Sequence, residues 1–420
     1  MAYATKLTLI HHIAIYVLFY SICASGDDCG VRDNPDVNYF DVQLPEINVP
    51  NHLTSYVCQQ FKIPTDQAYH AIAFEPIISN HHVMHHMLLF GCESDTGNMD
   101  PHLCGSQDQS CGSWLAQWTI GVEGQVCTPP QAGIRFGKNS FQYMSLQIHW
   151  NNDGTIQNQT DNSGMRIYYT TKLRQHDLGN VQIGQNDIEI PPLTPSHNTV
   201  GSCSGSCTRQ MLFQPIYITR SYIHMHYLGE NGTFDLYRNG QFVQRISEDL
   251  AYLYHKSPIH NHKPPVEVLP GDELRLTCGF DSYSGEKKRN TTLFFGEGSN
   301  AEMCYAFVTY YPHAIGFDQC IQFADYDVNC PSSDGRMFGG CNFYDLESSV
   351  KGHLLDDIIR ACSLGVLCDK NCSQTLRELT THPCMQGRLG VHSRRTILSN
   401  IPSWKKVIII MDDYRDKCVV

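Results

Sequence analysis

The chain has 420 residues, enough for two or three domains of ordinary size. Hydrophobic residues make up 41% and charged residues 17%, a balance that excludes a disordered chain. A formal charge of −12 excludes a nucleic-acid binder, which needs a basic face.

At the N-terminus Lys6 precedes the apolar run "LTLIHHIAIYVLFYSICA", and the small residues Ala24 and Gly26 come just before Asp27. Residues 1–26 therefore read as a secretory signal. His11 and His12 break the run and weigh against a retained anchor. No later segment approaches the roughly 20 apolar residues that a membrane helix needs, so no stable membrane span is expected. Of 19 cysteines, Cys23 falls within the signal and an even 18 remain, as expected of an oxidising compartment. Sequons at Asn158, Asn231, Asn290 and Asn371 suit glycosylation on that route. The expected location is the extracellular space or a secretory-vesicle lumen.

The mature chain reads as short strands between turns. "NHHVMHHMLLFGC" (Asn80 to Cys92) sets four histidines before an apolar run. "FQYMSLQIHW" (Phe141 to Trp150) alternates, with Met144, Leu146 and Ile148 on one face and Ser145, Gln147 and His149 on the other. "GMRIYYTTKL", "PIYITRSYIHMHYLG", "LPGDELRLTCGF" and "EMCYAFVTYYP" are β-branched and aromatic. "GTFDLYRNGQFVQRI" carries a hairpin signal at Asn239-Gly240. These elements predict an all-β fold of two antiparallel, jelly-roll-like β-sandwich domains. The expected limits are 27–180 for the first domain and 181–322 for the second. "IEIPPLTPSHNTVGSCSGSC" (Ile188 to Cys207), rich in Pro, Ser and Gly, marks the region of the boundary. Residues 323–420 read as a disulfide-stapled extension with some helix, for example in "VKGHLLDDIIRAC".

His224 and His226 lie at i and i+2 on a strand, so both imidazoles leave the same face. His149 offers a third imidazole. His85 and His86 are adjacent, and a regular strand sends them to opposite faces; both reach one metal only if a bulge re-aims one of them. Zinc with cysteine is disfavoured where the thiols are paired. Imidazole with thioether suits copper, although composition alone does not select which methionine serves.

Four segments together resemble the copper type II, ascorbate-dependent monooxygenases: "HHMLLFGC", "LQIHW", "HMHYLG" and "EMCYAFVTYYP". The resemblance runs from about Cys58 to Cys320. It leans toward the dopamine β-hydroxylase branch through "NSGMRIYYTTKLR", "CSGSC" and "LPGDELRLTC". It implies two coppers per chain, the first held by His85, His86 and His149 and the second by His224, His226 and Met303. The family's domains face each other across a solvent-filled cleft. Implied disulfides are Cys58–Cys104, Cys92–Cys111 and Cys278–Cys304. The implied chemistry is hydroxylation of a C–H bond with O2 as co-substrate and ascorbate as reductant. The second copper works beside the substrate, and the first supplies an electron.

Departures from the family pattern bear on the substrate. Met225 stands between the two histidines in place of threonine, and Tyr217 and Thr219 replace a histidine and a phenylalanine. Tyr222 stands where the peptide-amidating enzymes carry a carboxylate-gripping arginine. Gln147 stands where dopamine β-hydroxylase has an acid, and Phe307 where a tyrosine is usual. Tyr222, Tyr305 and Phe307 thus give the substrate pocket an aromatic lining. The expectation is a small, aromatic, amine-like substrate. The alternatives are a non-catalytic secreted copper-binding or matrix protein on the same scaffold, or a peptide-hydroxylating monooxygenase of the amidating type.

Overall fold

The computed structural model describes residues 28–324 apart from 105–110, 112, 121, 123, 153–155, 255–256 and 297–300, and scattered positions from 326 to 418. The signal expected over 1–26 lies outside the described residues.

Two pairs of sheets dominate. In the first pair, a six-stranded sheet runs in the order Asn38–Gln43, Gly164–Thr170, Ala68–Ile77, Ala132–Gly137 and His176–Asp177, with Val126–Cys127 added beside Ala68–Ile77. Its partner sheet runs His102–Leu103, Thr54–Lys62, Tyr143–Asn151, Met84–Cys92 and Ser113–Thr119. Nearly all pairings are antiparallel; His176–Asp177 with Ala132–Gly133 is parallel. Met144, Leu146 and Ile148 point into the core between these sheets, as their alternation requires. The opposite face, with Ser145, Gln147 and His149, is buried too, so the polar side of this strand lines an interior space and not solvent.

The second pair combines a six-stranded sheet (His260–Val268, Ile216–His224, Tyr305–Tyr311, Gly179–Gln185, Gln319–Phe323, Tyr326–Asp327) with a four-stranded one (His197–Cys203, Asp272–Phe280, Gly229–Arg238, Gln241–Asp249). Asn239 and Gly240 both adopt positive φ, 52° and 76°, and close the hairpin that their dipeptide predicts. The Pro-rich stretch from Ile188 to Cys207 does not separate the two pairs of sheets. Its strand His197–Cys203 hydrogen-bonds within the second pair, and the chain crosses earlier, between His176–Asp177 and Gly179–Gln185. The two pairs are joined by Gln131 Nε2 donating to Tyr311 Oη (2.7 Å), Asn180 Nδ2 to Trp114 O (2.9 Å) and Arg220 Nη2 to Cys127 O (2.8 Å).

Nine disulfides consume all 18 cysteines after Cys23. Cys58–Cys104, Cys92–Cys111 and Cys278–Cys304 are among them. Cys29–Cys127 closes onto the first sheets, while Cys203–Cys320 and Cys207–Cys330 cross the second. Beyond these, helices Leu355–Ala361, Lys370–Thr381 and Gly387–His392 pack around their own core, held by Cys341–Cys384, Cys362–Cys372 and Cys368–Cys418. A core this small gains much from such links, because each closes a loop in the unfolded chain. Among the described residues no helix is long and apolar enough to cross a membrane.

Candidate metal centre

The first histidine group is built by strand register. Tyr143–Asn151 pairs with Met84–Cys92 so that His149 lies opposite His86, and the next pair is Trp150 with Met84. His85 is the extra residue of a β-bulge. The bulge turns it back toward its neighbour's side, which a regular strand forbids. His85 Nδ1 lies 3.1 Å from His86 Nδ1, and His149 Nδ1 lies 3.3 Å from the same atom. Ligand atoms of all three fall within 4.8 Å of one another. Tyr56 stacks on the His149 ring at 4.3 Å and holds its plane. Burial, with the neighbouring imidazoles, drives the His86 pKa well below its ordinary value, so the ring is neutral at pH 7. His81 and His82 are exposed and lie off the cluster.

The second group forms where the strand Ile216–His224 ends. His224 pairs across the sheet with Tyr305, which places Met303 just beyond that register. His226 Nδ1 lies 2.9 Å from the Ala301 carbonyl, which can only accept. His226 therefore donates from Nδ1, and its lone pair is on Nε2. His224 Nδ1 meets Tyr222 Oη at 3.0 Å and adopts the same tautomer if Nδ1 donates to that oxygen. Burial first, then His226 and His85, push the His224 pKa far down.

Glu302, unnoticed in the sequence, ties this group together. It is 1% exposed, and its two oxygens accept from the backbone N–H groups of His226 (2.8 Å), Leu228 (2.7 Å) and Met303 (3.3 Å). Burial raises its pKa to about 7 despite those donors. An acid set directly before Met303 in an otherwise apolar segment was the available signal, since buried carboxylates are rare without partners. The adjacent Cys278–Cys304 disulfide anchors Met303 to the neighbouring sheet.

His85 and His86 of the first group and His224, His226 and Met303 of the second line one cavity of about 380 Å³, together with Tyr222, Tyr305 and Phe307. Tyr222 stacks on Phe307 at 5.3 Å, Trp114 lies 5.2 Å from Phe307, and Tyr305 Oη bonds Asn186. The space between the groups is not solvent alone. The Tyr254 ring lies 5.4 Å from His85, 6.2 Å from His224 and 5.7 Å from His226, and so touches both. No pattern in "AYLYHK" announced that role, because Tyr254 sits in a loop whose position depends on the whole fold.

Matches to known proteins follow the same division. Residues 40–157 match the family model described as "Copper type II ascorbate-dependent monooxygenase, N-terminal domain", and residues 176–330 match the corresponding C-terminal domain. The chain belongs to this family. Similar proteins include tyramine beta-hydroxylase of Caenorhabditis briggsae, 32% identical over 65% of this chain and 49% of that protein. Human dopamine beta-hydroxylase is 32% identical over 66% of this chain and 46% of that protein. The mouse DBH-like monooxygenase protein 1 is 28% identical over 68% and 49%. The chain spans about half the length of these curated relatives.

The donor set fits the copper of the family. Clustered imidazoles with a thioether lining the same cavity suit a metal that cycles between a soft and a harder oxidation state. Nitrogens 3.1–3.3 Å apart have the spacing of ligands sharing one ion at bonds of about 2.0–2.1 Å. The backbone carbonyl on His226 and the hydroxyl on His224 supply the outer hydrogen bonds that metal-binding histidines require.

Proposed function

We propose that this protein is a secreted copper- and ascorbate-dependent monooxygenase that hydroxylates a C–H bond of a small, aromatic, amine-like molecule with O2. In this reading each pair of sheets is one copper-bearing domain. His85, His86 and His149 hold one copper; His224, His226 and Met303 hold the other. The observation that carries the reading is that five of these donors, His85, His86, His224, His226 and Met303, line a single cavity with aromatic walls, and that His149 lies against His86 behind them.

Copper, when bound, supplies one-electron redox chemistry and a place for dioxygen to react. The protein's own residues do the rest. Glu302 holds the His226 and Met303 backbones in one frame, so two ligand-bearing segments keep a fixed separation. Tyr222 and Ala301 O orient the two imidazoles. Tyr222, Phe307 and Trp114 present flat apolar surface to an aromatic ring and exclude water from it. Asp318 lines the same cavity and offers a carboxylate to an amine, a role that Gln147 cannot fill. Among the described residues no Lys or Arg lines this cavity, which disfavours a substrate held by a C-terminal carboxylate.

The nine disulfides and the exposure of all four sequon asparagines support export. The second reading, a copper-binding protein without turnover, is separated by one experiment. The copper-loaded chain is given ascorbate, O2 and a panel of phenethylamines, and product is measured beside oxygen uptake. Hydroxylated amine supports the enzyme; bound copper with no product from any amine supports the alternative.

A further inference from the structure

Trp114, Gln117, Tyr222 and Phe307 line the copper cavity and also a second, adjoining cavity of about 690 Å³. The walls of the second include Ile72, Phe74, Val126 and Ile134. The four shared side chains therefore stand between the space that holds the metal ligands and a larger one beyond it.

Strand register sets each half of this wall. Tyr222 on Ile216–His224 lies directly opposite Phe307 on Tyr305–Tyr311, and their rings stack at 5.3 Å with 14° between planes. Tyr222 Oη meets His224 Nδ1 at 3.0 Å, which fixes the phenol relative to a metal-binding imidazole. On the other pair of sheets Trp114 lies opposite Phe90 and Gln117 opposite Leu88, and Leu115 is an extra residue between them. Residues three apart on a regular strand face opposite ways; the bulge brings both onto the cavity face with Phe90 and Leu88. Asn180 locks the halves together. It is the cross-strand partner of Thr309, two residues from Phe307, and its Oδ1 accepts from Thr309 Oγ1 (2.7 Å). Its Nδ2 donates to the carbonyls of Trp114 (2.9 Å) and Leu115 (3.2 Å), and the Trp114 ring meets Phe307 at 5.2 Å. The Phe307 ring lies 6.1 Å from the His224 ring, and the Tyr222 ring 6.0 Å from it. The wall is thus in ring contact with a ligand of the second metal. A molecule that reacts there abuts it, and the space beyond stays out of reach.

We propose that Trp114, Tyr222 and Phe307 are the end stop of the substrate site. They hold its length to an amine with one aryl ring, and Asn180 is the residue that positions them. This rests on the amine-hydroxylating reading above. The limit is steric: a second ring enters only by displacing side chains packed between two sheets, and such overpacking is costly. Phe307 lines both cavities, so its truncation joins them and gives a second ring apolar walls to lie against.

The test compares phenethylamine with 4-phenylphenethylamine, which adds one ring along the same axis. Calorimetry on the copper-loaded full chain without ascorbate reads binding, and product formed once ascorbate and O2 are added reads turnover. The parent binds the one-ring amine about 100-fold more tightly than the two-ring amine. Phe307→Ala lowers that ratio to about tenfold or less, because the two-ring amine gains affinity. Asn180→Ala keeps all three rings and lowers the ratio about threefold; a merely structural loss weakens both amines alike and leaves the ratio where it was. Ile259→Trp added to Phe307→Ala fills the second cavity from its lining and restores the ratio toward the parent's, with the one-ring amine bound as in Phe307→Ala alone. If Phe307→Ala does not fold, Trp114→Ala opens the same wall from the other pair of sheets. Equal affinity for the two amines in the parent, an unchanged ratio in the folded Phe307→Ala or Trp114→Ala protein, or no heat from either amine overturns the end stop. Selective binding with no product from either amine leaves the end stop standing and removes the hydroxylating reading instead.

Discussion

His86 stands directly opposite His149 across two adjacent strands, their Nδ1 atoms 3.3 Å apart. The residue before His86 has no partner in that ladder, and this is how His85 joins the same cluster. His85→Ala and His149→Ala should each lower bound copper by about one ion per chain, because two imidazoles hold a metal poorly without the third. The double change His81→Ala with His82→Ala should leave copper content at the parent value. Metal analysis after dialysis checks both outcomes; loss of copper in the His81/His82 variant would transfer the site to the exposed pair.

Glu302 and Met303 separate frame from ligand. Met303→Ile should abolish turnover while the first copper stays bound. Glu302→Gln places an amide N–H against backbone N–H groups and costs about 1–3 kcal/mol of stability. It should also weaken the second copper about 10–100-fold, with Met303 itself intact. X-ray absorption reads the sulfur ligand directly. A Glu302→Gln protein with undiminished copper affinity and melting temperature would remove the carboxylate from its role as frame.

Asp318 tests the nature of the substrate. It is exposed at the cavity lining, so a pairing with the proposed amine would be screened and modest. Asp318→Asn should raise KM for a phenethylamine about 2–5-fold and leave kcat unchanged. KM for a neutral analogue of the same shape should not move. An equal change for both would show that Asp318 contributes shape and not charge.

Asp177 gives a pH dependence of known sign. It lies where the chain crosses between the two pairs of sheets, and it accepts from His70 Nε2 (2.8 Å) and Arg135 Nε (2.7 Å). Burial opposes ionisation, but the His70 and Arg135 hydrogen bonds outweigh it and bring the carboxyl to about 2, below the ordinary 3.8. A depressed carboxyl stabilises the fold above its unfolded pKa, and that contribution fades as pH falls from about 4 toward 2. After solvent screening it amounts to about 1 kcal/mol. Asp177→Asn should therefore unfold more easily than the parent at pH 6, with the gap closing near pH 2. A gap that widens on acidification contradicts the assignment.

Much of this molecule was legible in the order of its residues. Alternation placed Met144, Leu146 and Ile148 in a core, and Asn239-Gly240 marked a hairpin, because both are properties of a few neighbouring residues. His224 and His226 could be paired by the two-residue period alone. An even cysteine count pointed to disulfides, yet the partners of Cys203, Cys207, Cys362, Cys368 and Cys418 depended on which strands and helices meet. The Pro-rich stretch from Ile188 looked like a boundary by composition, but hydrogen bonding drew His197–Cys203 into the second pair of sheets.

What only the tertiary structure decided comes from contacts between residues far apart in sequence. The bulge that turns His85 inward is a mismatch between two strands about sixty residues apart, invisible in either strand alone. Glu302 meets His226 across 76 positions, and Tyr254 joins both histidine groups from a loop without periodicity. The aromatic wall of the histidine-lined cavity follows from packing Trp114 of one sheet against Phe307 and Tyr222 of another. Residue types and their local spacing determined which donors the chain could offer a metal. The long-range register of its strands decided which of them meet.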